Sequence, residues 1–278
     1  MPKLYEIVEK QDLVPGMALF HVYAPMAAKN MKPGQFIILR VNAKGERIPI
    51  SISGWDSEKG TIRIIIMAAG RTSTEAVALK QGECFQDIVG PLGEQTHLEK
   101  VSGTAVVVGG GYGTGAVMPP ARAMKAMGNR VVGIIGARSK DLVLLEAEMR
   151  EVCDDVIVCT NDGSQGVEGF VTDGLKQLME KEDVSWVLSV GPVPMMQAVA
   201  NLTKPKEVKT YCSLNAIMVD GTGMCGACRV SVGGKTKFAC FHGPDFDAHQ
   251  VNFEELVQRQ KMFLEQEKIA MEKLEEVK

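Results

Sequence analysis

Three of the chain's seven cysteines lie close together near the C-terminal end, two in Asp220-Gly-Thr-Gly-Met-Cys225-Gly-Ala-Cys228 and the third at Cys240. The loop around them consists mostly of glycine and other small residues, which let a backbone wrap closely around a ligand with its N–H groups pointing inward. The inorganic sulfides of an iron–sulfur cluster accept such hydrogen bonds. The spacing therefore predicts an iron–sulfur site, and the rest of the chain should hold a group that exchanges electrons with it.

The number of ligands is the open question at this site. The three clustered cysteines supply three thiolates, and a [2Fe-2S] cluster needs four ligands. The candidates for the fourth are Asp220 on the same glycine loop, Cys212 on a separate predicted strand, and His242, which would complete a Cys3His zinc site. Zinc loops seldom need so many glycines. Asp220 also has an ordinary interpretation as a turn residue, because Asp-Gly is a common turn sequence.

The first 98 residues contain short β-branched runs separated by turn signals, a pattern that predicts a small antiparallel barrel. One helix is expected in this part, at residues 72–79. Arg47 and Ser51 share a predicted strand, where an arginine could clamp a phosphate while the serine meets a ring nitrogen. From the residues alone, a surface strand with a solvated arginine is the better explanation. Gly70-Arg-Thr-Ser-Thr74 offers hydroxyl groups and backbone amides at a helix start, as a second phosphate contact would need.

Residues 101–200 alternate between predicted strands and helices, which indicates a doubly wound parallel sheet. A glycine-rich loop, Gly109–Gly115, follows the first strand and opens a helix, and Gly111 to Ala116 fits the pattern G-x-G-x-x-A. This is the context of a phosphate-binding loop, or of a tight turn that packs a helix on a strand. The second strand ends in basic Arg138 rather than the usual acidic residue, so NAD and NADP both remain open. Gly191-Pro192 makes a second sharp turn at the same sheet edge.

The remaining chain has a different character. Residues 206–250 hold the cysteine loop between short strands, and residues 253–277 form one uninterrupted predicted helix with a thin apolar stripe. That helix either lies along its own domain or docks against a partner chain. The predicted domains are an antiparallel barrel (1–98), a nucleotide-binding domain (99–205), an iron–sulfur domain (206–250) and a C-terminal helix that could dock a partner (251–278).

Composition narrows the class of protein. The net charge of −3 argues against nucleic acid as the main partner. The charged N-terminus lacks the apolar run of a signal peptide, and no stretch reaches the run of about 18 apolar residues that crosses a bilayer. Seven unevenly spaced cysteines do not resemble a secreted disulfide framework. A cytoplasmic protein without a membrane segment is expected.

The order of these motifs resembles the ferredoxin–NADP reductase superfamily, which joins a flavin-binding antiparallel barrel to a doubly wound nucleotide domain. Within it the chain resembles electron-transfer subunits that add a [2Fe-2S] domain. One is the iron–sulfur subunit of dihydroorotate dehydrogenase. More similar is the small subunit of NADH-dependent reduced ferredoxin:NADP oxidoreductase, an electron-bifurcating, sulfide dehydrogenase-like enzyme. The dihydroorotate subunit has a cysteine at the position of Asp220, and the bifurcating enzyme's small subunit has the aspartate.

The resemblance implies the cofactors FAD, NAD(H) and a [2Fe-2S] cluster. Arg47 would contact the FAD phosphates, with Ile50 and Ser51 beside the isoalloxazine, and the chain carries one residue more than the usual Arg-x-x-Ser. Val190 replaces a cysteine often found near the nicotinamide. The complete set of residues implied for FAD is Arg47, Pro49, Ile50, Ser51, Gly70, Thr72, Ser73 and Thr74. The set for NAD(H) is Gly110, Gly111, Gly113, Thr114, Gly191 and Pro192, and that for the cluster is Asp220, Cys225, Cys228 and Cys240.

The resulting hypothesis is an oxidoreductase subunit that exchanges hydride with NAD(H) at FAD. It exchanges single electrons, through the cluster, with a large subunit that has further flavin and [4Fe-4S] clusters. Ferredoxin would be served indirectly through that heterodimer, and no catalytic acid–base residue is required. The alternatives are the electron-transfer subunit of dihydroorotate dehydrogenase and a zinc-containing nucleotide-binding protein without redox activity.

Overall fold

The computed structural model describes residues 2–276. Its first part is a six-stranded antiparallel sheet in the order β1-β2-β5-β4-β3-β6. An isolated bridge between Glu6 and Cys84, residues that precede the two outer strands, links the edges of the sheet, so the sheet closes into a barrel. The strands are Ile7–Val14 (β1), Met17–Tyr23 (β2), Phe36–Arg40 (β3), Arg47–Asp56 (β4), Thr61–Met67 (β5) and Asp87–Leu92 (β6).

Alternation along β2 gives the barrel two apolar surfaces. Phe20 and Val22 point into the barrel core, whereas Met17 and Leu19 pack outside it against Leu144 of the following domain. The barrel is therefore anchored to the next domain by the outer face of its own strands. Helix Arg71–Ala78 (α2) agrees with the predicted helix at 72–79. The expectation of a single helix is wrong, because Pro25–Asn30 (α1) forms another that starts with a proline and buries two alanines.

The second part is a seven-stranded sheet in the order β10-β9-β8-β7-β11-β12-β15, parallel except for β15. Helices cover both faces: α3 and α4 share one core with the sheet, and α5 and α6 contribute to a core on the other face. The strands are Thr104–Gly110 (β7), Arg130–Ala137 (β8), Asp155–Thr160 (β9), Val167–Glu168 (β10), Val184–Val190 (β11), Lys209–Ser213 (β12) and Asp245–Asp247 (β15). The helices are Gly113–Ala126 (α3), Glu146–Val152 (α4), Val171–Lys181 (α5) and Val193–Thr203 (α6).

The third part is small and carries the cysteine loop. It consists of the hairpin Arg229–Val232 (β13) and Lys235–Phe238 (β14), followed by the short helix Ala239–His242 (α7). The predicted fold class, an antiparallel barrel followed by a doubly wound parallel sheet and a small C-terminal domain, is confirmed.

The C-terminal segment differs from the single helix predicted at 253–277. It forms two helices, Phe253–Gln260 (α8) and Leu264–Glu275 (α9), separated at residues 261–263. Helix α8 buries Phe253 and Leu256 against α6 and β13, whereas α9 lies against α2 of the barrel. Because α8 and α9 pack on different parts of the molecule, the chain must change direction between them. This explains the break at residues 261–263, which contain no proline or glycine. Val277, part of the predicted helix, lies outside the described residues.

Within residues 2–276, no helix is long and apolar enough to cross a membrane.

Candidate functional site

A cleft of about 940 Å³ lies between the barrel, the start of α3, residues 213–219 and α9. Its volume suits a cofactor, since such sites enclose roughly 300–1,000 Å³. Seven of the eight residues predicted to hold FAD line this cleft, and Thr74 does not. The seven are Arg47, Pro49, Ile50, Ser51, Gly70, Thr72 and Ser73.

Strand β4 supplies four of these residues through its alternation. Arg47, Pro49 and Ser51 are exposed on one side of the strand, whereas Ile48 and Ile50 are half-buried against the barrel core. The arginine and serine side chains are therefore available to a ligand in the cleft. The Ile50 side chain packs largely on the core.

The start of α2 also lines the cleft. Ser73 Oγ accepts hydrogen bonds from the backbone N–H groups of Ala69 and Gly70, both at 3.0 Å. The Thr72 hydroxyl donates to Glu46 Oε2 at 3.1 Å. Both hydroxyls already serve the protein, so a bound phosphate would meet the unpaired N–H groups of the first helical turn and the nearby Arg71, which the sequence analysis missed.

Helix α9 forms a cleft wall that the sequence analysis also missed. Phe263, Gln266, Glu267 and Ala270 line the cleft. Their spacing of three and four residues places them on one side of a helix. That spacing is the signal in the sequence, but it does not reveal which surface the helix covers.

The glycine-rich loop after β7 lies at the point where the strand order of the parallel sheet reverses, between β7 and β11. Ligands of doubly wound sheets bind at such switch points. Close packing explains why two of the residues predicted for NAD(H), Gly110 and Gly113, are glycines. A Cβ on Gly110 would lie 2.4 Å from Met195 Sδ, and one on Gly113 would lie 2.2 Å from the Val190 carbonyl oxygen. Gly111 differs, because it has φ of +55° and open space around its Cα. The loop thus combines both interpretations, close packing at most glycines and an accessible backbone at one.

The other residues predicted for NAD(H) differ in how accessible they are to a ligand. The Thr114 hydroxyl is fully buried and has no hydrogen-bond partner, so it does not reach the surface of the loop. Gly191 lines the cleft, and Pro192 is exposed immediately before α6. Arg138 is exposed at the end of β8, beside the glycine loop.

The cysteine loop holds two sulfur atoms close together. Cys228 and Cys240 are 2% and 3% exposed, and their Sγ atoms are 3.1 Å apart without a disulfide. Burial, followed by the Cys228 sulfur, raises the pKa of the Cys240 thiol to about 12. A thiolate pair at this spot therefore needs a strong positive charge such as iron, which deprotonates a coordinating thiol. Cys225 is exposed at the outer end of the loop.

Asp220 organises the same loop. Its Oδ1 accepts the Thr222 N–H at 2.8 Å and its Oδ2 accepts the Cys225 N–H at 3.2 Å. The Thr222 hydrogen bond is the main reason that the pKa of the carboxyl is lowered, so the group is an anion in a position next to Cys225. Each carboxylate oxygen keeps a second lone pair for a metal. The turn role and the ligand role are therefore compatible.

The two other candidates for a fourth ligand lie elsewhere. Cys212 is fully buried on β12, and its sulfur faces the Phe246 carbonyl oxygen at 3.9 Å. His242 Nδ1 accepts the Phe238 N–H at 3.1 Å, which ties the ring to its own hairpin. Neither shares the Asp220–Cys228 loop.

The four candidate ligands form two pairs, which is an arrangement that a two-iron cluster can use. A [2Fe-2S] cluster divides its four ligands between two irons. The close pair Cys228 and Cys240 suits one iron, and the outer pair Asp220 and Cys225 suits the other.

Comparison with known proteins extends these observations. A family model described as the iron-sulfur cluster binding domain of dihydroorotate dehydrogenase B matches residues 215–252. The chain is 40% identical over 272 residues to the dihydroorotate dehydrogenase B (NAD(+)) electron transfer subunit homolog of Thermotoga maritima, with 97% of this chain and 95% of that protein covered. It is 32% identical over 256 residues to the dihydroorotate dehydrogenase B (NAD(+)) electron transfer subunit of Bacillus cereus, with 88% and 96% covered.

Solved structures give the same picture. A chain from a structure of NADH-dependent reduced ferredoxin-NADP oxidoreductase, studied for flavin-based electron bifurcation, superposes with a TM-score of 0.93 at 39% identity, covering 99% of both chains. The ferredoxin reductase of carbazole 1,9a-dioxygenase is 18% identical with a TM-score of 0.62, covering 73% of this chain and 65% of that one. The second likeness concerns the fold alone.

The packing role of the glycine loop can be tested without a ligand. We expect Gly113→Ala to lower the free energy of unfolding by about 1–3 kcal/mol, because the new methyl group collides with the Val190 carbonyl. Gly70→Ala is the matched control: no atom lies within 4 Å of its added Cβ, and a loss of about 0.5 kcal/mol or less is expected. Urea unfolding of both variants measures the difference, and equal losses would contradict the packing explanation.

The wall formed by α9 predicts a role in flavin affinity. Ala270→Glu places a carboxylate in the cleft, and we expect FAD to bind at least about tenfold more weakly, a loss of about 1.4 kcal/mol. Ile269→Glu, at an exposed neighbouring position that does not line the cleft, should bind FAD like the unmodified chain. Equilibrium dialysis with FAD measures the affinity of the two variants, and equal affinities would show that α9 does not contribute to FAD binding.

Proposed function

The chain belongs to the family of dihydroorotate dehydrogenase B electron transfer subunits and their homologues, and on this basis we propose that it relays electrons from NAD(H) to a larger subunit. The predicted activity, that of an NAD(P)H-dependent flavoprotein oxidoreductase subunit, and the predicted cofactors FAD, NAD(H) and [2Fe-2S] are confirmed by the relatives and by the matched iron–sulfur domain. A subunit of this family works with a larger catalytic partner in a heterodimer.

The predicted function, electron transfer in NADH-dependent reduced ferredoxin:NADP oxidoreduction, is supported most by one observation. The match to the bifurcating enzyme's structure covers 99% of both chains with a TM-score of 0.93. Service to dihydroorotate oxidation is the weaker alternative. We propose that the partner carries a flavin and [4Fe-4S] clusters, and that ferredoxin exchanges electrons with the partner rather than with this chain.

We assign the FAD contacts to the cleft that contains Arg47 and Ser51. The guanidinium of Arg47 would pair with the phosphates, and the Ser51 hydroxyl would lie beside the flavin ring. FAD, when bound, supplies the conversion between a two-electron hydride and single electrons. The barrel (1–98) and nucleotide domain (99–205) together orient that group and exclude water from it.

NAD(H) is assigned to the switch point of the parallel sheet. Gly111 offers an accessible backbone there, and the N-terminus of α3 would face the pyrophosphate. Gly191 and Pro192 form the other side, next to the FAD cleft. Gly110, Gly113 and Thr114 support this loop from behind through packing, since their positions leave little room for direct contact.

The cluster is assigned to the 206–250 domain, with Cys228 and Cys240 on the inner side and Asp220 and Cys225 on the outer side. A carboxylate oxygen is harder than a thiolate sulfur and shares less electron density with iron. Asp220 therefore tunes the reduction potential of the cluster, and ligand identity is one of the means by which proteins set that potential. Helix α9 brings the C-terminal segment back onto α2 of the barrel.

Anaerobic titration with NADH tests the function directly. We expect the purified chain to show flavin absorption that bleaches with NADH, followed by the EPR signal of a reduced [2Fe-2S] cluster. Reduction of the cluster by NADH should require bound FAD, because the cluster cannot accept a hydride. Protein with stoichiometric zinc and no flavin or iron–sulfur absorption would instead support the non-redox alternative.

The ligand assignment predicts a spectroscopic change. Asp220→Cys should retain the cluster and shift its EPR signal, because a thiolate replaces an oxygen ligand. Asp247→Asn, a carboxylate change outside the loop, should leave the signal unaltered. An unchanged spectrum in Asp220→Cys would assign the fourth ligand to another residue.

A further inference from the structure

The proposed electron relay requires a route for a proton. A hydride carries one proton with its two electrons, so the balanced conversion is NADH → NAD⁺ + H⁺ + 2 e⁻. The iron–sulfur cluster takes up electrons alone. For each pair of electrons that leaves through the cluster, one proton must therefore leave the FAD site through the protein or the solvent.

A second, small cavity lies directly behind the FAD cleft. It has a volume of about 10 Å³, close to the space that one water molecule needs. Four residues line both the cleft and this cavity, namely Ser51, Ala116, Val190 and Ser213. One layer of side chains thus separates the cavity from the position assigned to the flavin, and two members of that layer carry hydroxyl groups that can pass a proton.

Asp245 is the one titratable side chain among the described residues that line this cavity. It is only 7% exposed, and its Oδ2 accepts a hydrogen bond from the Thr96 hydroxyl at 2.6 Å. Its Oδ1 is buried and has no hydrogen-bond partner in the protein. A buried oxygen without a partner costs about 1–3 kcal/mol, so a water molecule or a proton at this atom stabilises the structure.

The way to solvent is short. Thr96 is buried, and the next residue, His97, is exposed and stacks on Tyr211 with ring centroids 5.2 Å apart. The segment whose Thr96 binds the Asp245 carboxyl therefore reaches the surface at the next residue, His97. Strand β15 places Asp245 opposite Ser213, which lines the FAD cleft.

We propose that Asp245 Oδ1, with one water molecule in the small cavity, receives the proton that leaves the FAD site beside Ser51 and releases it to solvent past His97. This inference rests on the proposed function, because only an FAD site that loses electrons singly needs such a route. In the reverse direction of electron flow the same groups deliver the proton. Asp245 touches no cofactor, so it acts as a positioning and relay residue.

The surroundings of Asp245 suit both uptake and release of a proton. Burial raises the pKa of its carboxyl above the usual value, and the Thr96 hydrogen bond, the nearby Ser213 hydroxyl and the charge of His97 offset part of this rise. The other titratable neighbour is the Cys212 thiol, whose pKa is raised well above its usual range by burial and by Asp245. Cys212 therefore stays neutral and does not compete for the proton. Relay groups work best when their pKa lies near the working pH.

Asp245→Asn tests the relay in the chain loaded with FAD and cluster. The asparagine can still accept the Thr96 hydrogen bond, but it cannot carry the proton. We expect NADH to reduce the flavin at an unchanged rate, and electron exit to the cluster to slow by about a hundredfold, the lower range for a positioned proton-transfer group. Stopped-flow absorption in H₂O and D₂O measures both steps, and the solvent isotope effect should be confined to the second.

Asp247→Asn is the matched control, because Asp247 lies two residues along the same strand and lines neither cavity. It should behave like the unmodified chain. Equal exit rates in Asp245→Asn and in the unmodified chain would overturn the proposal. If the Asp245 variant does not fold, absence of a solvent isotope effect on electron exit in the unmodified chain overturns it equally.

A measurement without FAD separates this proposal from the proposed function. The unfolded carboxyl has an ordinary pKa near 3.8, and the folded pKa is higher, so the stability contributed by the neutral Asp245 is present at low pH and is lost as pH rises through the folded value. The stability of Asp245→Asn relative to the unmodified chain should therefore increase with pH above 3.8 and then level off. A difference that does not change with pH would overturn the relay and leave the proposed function standing, whereas failure to bind FAD would overturn the proposed function and, with it, the need for a relay.

Discussion

One continuous apolar core joins the barrel, the nucleotide domain and the cysteine loop, and the relative positions of the three cofactor sites depend on it. Phe36 and Ile38 of β3, Met196 of α6, and the sulfur-bearing Cys228 and Cys240 all belong to this cluster of buried residues. A rigid, close-packed interior transmits position better than flexible loops do. The ends of an electron relay are therefore held at fixed separations by packing.

Glycine residues allow the barrel, the nucleotide domain and the cysteine loop to approach one another closely. A Cβ on Gly221 of the cysteine loop would lie 2.6 Å from Ile38 of the barrel, and one on Gly93 would lie 2.8 Å from the Gly243 carbonyl oxygen. Gly113 plays the same part between the nucleotide loop and β11. A glycine-rich motif in this protein is consequently evidence of close backbone approach first, and of ligand binding only where, as at Gly111, the space beside it is open.

The fold class could be predicted from the sequence because the signals for it are local in the chain. They include the alternation of side chains in strands such as β4 and the glycine loop between a strand and a helix. It could not show that residues 261–263 break the last helix, since the cause is docking of α8 and α9 on different surfaces. It also could not single out Asp245 among 34 acidic residues, because its burial and its place behind the FAD cleft come from tertiary structure. Arg47, Ser51, Gly70, Thr72 and Ser73 could be named in advance, but the cleft wall that α9 contributes could not.

The cluster site has an inner and an outer side, and this polarity gives the proposed relay a direction. The buried pair of cysteines packs against β3, whose Phe36 lines the FAD cleft. On the outer side Cys225 is exposed, and two large apolar side chains accompany it: Met224 at 89% and Phe241 at 59% exposed. Exposed apolar groups beside a redox centre suit contact with another protein surface. Electrons that enter from the flavin on the packed side would thus leave through the exposed side, where Asp220, as the proposed ligand, would adjust the iron nearest the partner.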